Sequence, residues 1–165
     1  MASSVVVHPR GVERARSGHP WIYRSDVVEA RARGGDVVDV LDPRGRGVGQ
    51  ALYSDRSQIA LRLLARGEGR RTHQTVRELV RDRLAQAIAF RASLDLDATA
   101  YRLVHAEGDR LPSLIVDRYG DVLVLQALSQ GIDQMLPDIV ADLAEIVRPA
   151  GILARNDARS RSRPV

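Results

Sequence analysis

The 165-residue chain contains no cysteine. That excludes disulfides, thiolate metal sites and every mechanism that runs through a cysteine nucleophile. It also contains no lysine, so all 25 basic residues are arginines, which removes Schiff-base chemistry and the lysine of a phosphate-binding P-loop. Arginine binds phosphate bidentately and stacks on bases where lysine acts as a point charge, although a GC-rich genome would produce the same composition. Aromatic residues are scarce at 4%: Trp21, Phe90 and four tyrosines. The core must therefore be built from Val, Leu, Ile and Ala. No apolar run approaches the ~18–20 residues that cross a bilayer, and the first ten residues, MASSVVVHPR, carry no signal-peptide core. These absences lead to the expectation of a soluble, cytoplasmic protein with no membrane contact.

What is present is an ordinary globular balance, 44% hydrophobic and 28% charged, in a length that suits one domain or two small ones. The charge is unevenly placed. Residues 1–71 carry a net charge of +5, residues 72–154 a net −4 and residues 155–165 a net +3. A basic front part is the footprint expected of nucleic-acid binding; a solvated arginine surface is the plainer alternative.

The first 65 residues read as short strands separated by turns. Val5–Val7 is a β-branched run ended by Pro9, and Gly11–Ser17 has room for one helical turn closed by Gly18. Strands are expected at Trp21–Tyr23, Val27–Val28, Asp36–Val40, Val48–Tyr53 and Ile59–Leu64, with Asp42-Pro43-Arg44-Gly45 as a turn. Strands at this spacing predict a small β-barrel. The polar stretch Gly67–Arg71 marks the domain boundary. Thr75 and Glu78 have capping-box spacing at the start of a helix running to about Leu94. Strand signals return at Tyr101–Val104, and two apolar runs around Gly120 read as a hairpin. A second amphipathic helix follows from Ile132 to Val147 with Pro137 in its first turn, and then one more strand at Ile152–Ala154. The second unit is expected to be α+β, with two amphipathic helices and a short antiparallel sheet.

Gly45-Arg46-Gly47-Val48-Gly49 imitates a nucleotide loop, but a strand pattern follows it where a helix N-terminus is required, so it reads as a hairpin turn. His105, Glu107 and Asp109 could align three ligands on a strand, yet Gly108 and Pro112 favour a turn there, and no metal site is assigned. No catalytic residue is assigned either. The candidates for RNA phosphate contact are Arg14, Arg16, His19 and Arg24, which interleave with Trp21 and Tyr23, together with Arg44, Arg46, Arg56 and Arg62. Trp21, at a strand start, is expected to serve the core rather than to stack a base.

Several strings then point one way. Ser17-Gly18-His19-Pro20-Trp21-Ile22-Tyr23 is followed by Asp42, Gly45, Gly47, Gly49 and Leu52-Tyr53, then by Ser57, Ile59 and Arg62. Arg102-Leu103-Val104, Glu107, Asp109, Leu111-Pro112 and Leu114–Asp121 complete the pattern. Together they resemble the N-terminal portion of the class I S-adenosylmethionine-dependent 23S rRNA cytosine-C5 methyltransferases. Ser54-Asp55 stands where that family has Asn-Pro, and Ser113 stands where glycine is usual. The resemblance implies an RNA-binding PUA barrel at residues 1–71 and a central α+β domain at 72–165. In the family a catalytic Rossmann-like domain follows, and this chain is expected to lack it. S-adenosylmethionine is thus a cofactor of the family, and none is expected here. The implied partner is RNA, 23S rRNA in particular. A stand-alone PUA-type module and a non-functional remnant are the competing readings.

Overall fold

The computed structural model describes residues 3–67 and 75–155. Residues 3–67, with 129–131, gather into one compact unit; 75–128 and 132–155 gather into another. Arg70 and Arg71 of the expected boundary, and the polar tail from 156 onward, lie outside the described residues. No helix among the described residues is long and apolar enough to cross a membrane.

The first unit runs β1 (Ser4–Val7), α1 (Pro9–Arg16), β2 (Trp21–Tyr23), β3 (Val27–Arg31), β4 (Val37–Leu41), β5 (Gly47–Tyr53) and β6 (Ile59–Arg66). The strands form one curled sheet in the order β2-β6-β5-β4-β1-β3, antiparallel except where β1 pairs with β4. The two-residue period of a strand decides what enters the core. In β1, Val5 and Val7 are fully buried and Val6 points away. Pro9 does more than end that strand. It occupies the first position of α1, where its fixed φ suits the helix and its missing N–H is not needed. This start lengthens the expected single turn to eight residues. Gly11 lies where α1 crosses the sheet: a Cβ there would sit 3.1 Å from the Asp26 side chain and 3.2 Å from Ile22. The β4–β5 turn forms as expected. Asp42 accepts from the backbone N–H of Arg44 (2.8 Å) and Arg46 (2.9 Å), and Gly45 takes φ +78°.

The second unit contains α2 (Val76–Ser93), β7 (Ala100–His105), β8 (Leu114–Tyr119), β9 (Val122–Ala127), α3 (Gln130–Val147) and β10 (Gly151–Ala154). Thr75 and Glu78 form the capping box reciprocally: the Glu78 N–H donates to Thr75 Oγ1 and the Thr75 N–H to Glu78 Oε2. The expected hairpin is β8–β9, with Gly120 at φ +56° in its turn. β7, β8 and β9 form the expected antiparallel sheet, and β10 adds to β9 in parallel through the α3 crossover. Ile132, Ile139 and Leu143 of the α3 stripe are fully buried, as are Leu114, Leu123 and Leu125 of the sheet. Pro137 corrects one expectation. The helix begins at Gln130, so Pro137 lies in its interior and removes one rung of the hydrogen-bond ladder.

Candidate nucleic-acid interface

Helix α1 and strand β2 hold the first group of candidates. Ile22 points into the core at 0% exposure, so the strand period turns Trp21 and Tyr23 to the other face, where both are half-buried. This corrects the expected core role of Trp21. The rings of His19 and Trp21 meet edge to face at 5.8 Å, and those of His19 and Tyr23 lie 6.2 Å apart. His19 Nδ1 lies 3.2 Å from the Trp21 backbone nitrogen and 3.1 Å from the Trp21 carbonyl oxygen, so the Trp21 backbone holds the imidazole. The Arg14 guanidinium stands 4.8 Å from the centre of the Tyr23 ring, within cation–π range. Fully buried Asp26 anchors the arrangement from below. It accepts from Arg10 Nε at 2.6 Å and lies 3.5 Å from Arg14 Nε. Arg62, opposite Trp21 in the β2–β6 register, donates to the Ile59 carbonyl at 3.1 Å. Arg14, His19 and Arg62 therefore share one aromatic-bearing face.

The second group lies on the other flank of α1. Positions 9, 12, 13 and 16 fall on one helical face and border a groove of about 440 Å³ closed by Pro43, Arg44 and Arg46 of the β4–β5 turn. Asp42 holds that turn. The Arg46 N–H, then the Arg46 guanidinium at 2.7 Å and the Arg44 N–H, keep its carboxyl below the usual carboxylate range against the opposing effect of burial. Arg16 and Arg44 are exposed and make no ion pair among the described residues.

Arg24 and Arg56 belong to neither group. Arg24 donates to the Ser57 carbonyl at 3.0 Å and to that of Ser54, so its guanidinium clamps the β5–β6 loop. Arg56 projects from that loop, 78% exposed and 3.9 Å from Asp55. Sequence reading missed Arg10, whose helical spacing to Arg14 was a usable signal. It also missed Arg66, which donates to the Gly18 carbonyl at 2.6 Å and had no local signal.

In the second unit, His105, Glu107 and Asp109 form the expected turn rather than a ligand set: β7 ends at His105 and a 3-10 turn spans Ala106–Asp109. No group of metal-binding side chains occurs among the described residues. Burial would raise the Asp109 carboxyl, but the bidentate Arg91 guanidinium (2.6 and 2.8 Å) and the His105 N–H outweigh it and lower the pKa. The β9–α3–β10 crossover is the strand–helix–strand unit in which a methyl donor would be sought. Its turn carries only Gly131, already inside α3, and not the glycine-rich loop that brings backbone against such a ligand.

The family profile described as a PUA-like domain matches residues 5–66, the sheet and helix just described. Residues 5–66 form a PUA-like domain. The chain is 37% identical over 149 residues to ribosomal RNA large subunit methyltransferase I of Shewanella amazonensis, covering 88% of this chain and 37% of that protein. The protein of the same name from Alteromonas mediterranea is 32% identical over 167 residues, covering 99% and 41%. The chain thus spans about two-fifths of the length of the curated relatives it matches. Among solved structures, a Streptococcus mutans chain described as a SAM-dependent methyltransferase superposes with a TM-score of 0.79 at 17% identity, over 93% of this chain and 40% of that one. A methyltransferase complexed with SAH gives 0.76 at 16%, over 92% and 40%. At these identities the likeness establishes the fold.

Proposed function

We propose that the chain is the RNA-recognition part of a cytoplasmic large-subunit rRNA methyltransferase, of the kind that modifies cytosine at C5, with the PUA-like unit as residues 1–71 and the α+β unit as 72–165. The observation that carries this reading is the joining of a PUA-like domain to two arginine-bearing surfaces on one helix, in a segment of net charge +5. Arginine guanidiniums contact phosphate oxygens of structured 23S rRNA and set its register, while the aromatic face of β2 offers ring surface to a base. Methyl transfer to C5 needs a nucleophile that adds at C6. The resembled family uses cysteine for that step, and this chain has none. The chain on its own neither binds S-adenosylmethionine nor methylates RNA.

Two titrations test the reading. Fluorescence anisotropy with an rRNA hairpin should give saturable binding that weakens with salt. Three to five phosphate contacts correspond to a log–log slope of about −2 to −4. Isothermal titration with S-adenosylmethionine should give no saturable heat. Salt-independent RNA affinity, or micromolar binding of the methyl donor, would overturn it.

A further inference from the structure

The groove between α1 and the β4–β5 turn has a composition that phosphate contact alone does not explain. Pro9, Val12 and Pro43 line it together with the charged side chains of Arg16, Asp42, Arg44 and Arg46, and of these only Val12 and Asp42 are buried. Glu13 adds a carboxylate to the same face of α1. A volume of about 440 Å³ falls within the ~300–1,000 Å³ of clefts that take small ligands. Apolar side chains beside guanidiniums not already engaged by Asp42 suit an anion attached to a flat, weakly polar body. A nucleotide has both parts.

We propose that this groove holds one unstacked guanosine of the bound RNA, its base between Pro9, Val12 and Pro43, its phosphate on Arg16 and Arg44, and its Watson–Crick edge on Glu13. The proposal rests on the RNA-binding reading above. A carboxylate only accepts hydrogen bonds. Guanine presents two neighbouring donors, N1–H and the N2 amino group, which match its two oxygens. Adenine and cytosine offer one amino group flanked by an acceptor, and uracil offers one imino N–H between two carbonyls. A base reaches such a groove only when it has left its stack, as in a bulge or loop. The groove is also built in advance. Asp42 uses both oxygens on Arg44 and Arg46, so the turn carrying Arg44 is held before RNA arrives and little ordering remains to be done.

The test is anisotropy with the full chain and three labelled hairpins of one stem sequence, carrying a single bulged guanosine, a bulged adenosine or no bulge. The guanosine hairpin should bind about five- to tenfold more tightly than the adenosine one, the lower end of the discrimination given by a bidentate base contact. Glu13→Gln should abolish that preference while leaving the salt slope unchanged. Arg44→Ala should weaken all bulged hairpins and reduce the slope by about one contact. Both positions are exposed, and circular dichroism of each variant checks that the fold is kept. Equal affinity for all three hairpins, with Glu13→Gln indistinguishable from the parent, would overturn the proposal while a steep salt slope left the RNA reading standing. Competition by free GMP without any bulge preference would also overturn it, in favour of a soluble-nucleotide site. Failure of every hairpin to bind would overturn the RNA reading and this proposal together.

Discussion

The two units differ in where their arginines find partners. In the second unit, guanidiniums pair with carboxylates across elements: Arg91 on α2 holds Asp109 after β7, Arg81 on α2 holds Asp142 and Glu145 on α3, and Arg102 on β7 holds Asp117 on β8. Only the Arg91–Asp109 pair is mostly buried on both sides. Glu145, beside Arg81, lies below the usual carboxylate range, and Asp117 raises Arg102. In the PUA-like unit, Arg24, Arg62 and Arg66 donate to backbone carbonyls, Arg10 and Arg46 pair with Asp26 and Asp42, and Arg16 and Arg44 face outward. One residue type, present to the exclusion of lysine, ties separate elements together in the second unit and is in part turned outward in the first.

The contrast can be sharpened first inside β2. Ile22→Ala should destabilise the PUA-like unit by about 3 kcal/mol, as expected for a fully buried branched side chain. Trp21→Ala should cost clearly less and instead weaken RNA binding. Chemical denaturation of both variants, followed by RNA titration, checks the pair. A Trp21→Ala chain that unfolds as readily as Ile22→Ala would restore the core role that the strand period denies it.

The stapled unit should be sensitive to its carboxylates. Asp109→Asn removes a mostly buried, bidentate partner of Arg91, and a loss of about 2–3 kcal/mol is expected, with RNA affinity of the folded protein unchanged. The sign of the pH effect follows. Asp109 titrates lower folded than unfolded, so its contribution is fully present above the unfolded value near 3.9 and is lost as pH falls through the folded value. Urea midpoints measured from pH 6 to 3 should fall steeply below about pH 4, and less so in Asp109→Asn. A midpoint indifferent to acid would break the contrast.

Much of this was legible in the residues. Val5–Val7, the Asp42–Gly45 turn, the Thr75–Glu78 box and the α3 stripe each carry a local signal, and each forms. The missing parts depend on partners distant in sequence. No window around Trp21 reveals that Ile22 and not Trp21 meets the core. Nor does any window reveal that Arg24 would be consumed by carbonyls 30 and 33 residues away. Ser113 is the reverse case, a residue-level oddity that the backbone explains. It stands where the resembled family has glycine, and the structure gives it φ +66° with its buried hydroxyl unpartnered. Ser113→Gly should therefore stabilise the chain by about 0.5–1 kcal/mol, relief of the left-handed strain exceeding the added freedom of the unfolded chain. A rise in melting temperature is the readout, and a fall would contradict the account.

The central claim is that the arginines of α1 and the β4–β5 turn, and not those of the α+β unit, carry RNA binding. The direct measurement is the salt dependence of hairpin affinity for the parent chain, for Arg14→Ala/Arg16→Ala/Arg46→Ala, and for Arg77→Ala/Arg118→Ala as the control from the second unit. The account predicts that the triple variant flattens the log–log slope by about two to three contacts while the double variant keeps the parent slope. A triple variant that binds as the parent does, or a double variant that flattens the slope as much, would contradict it.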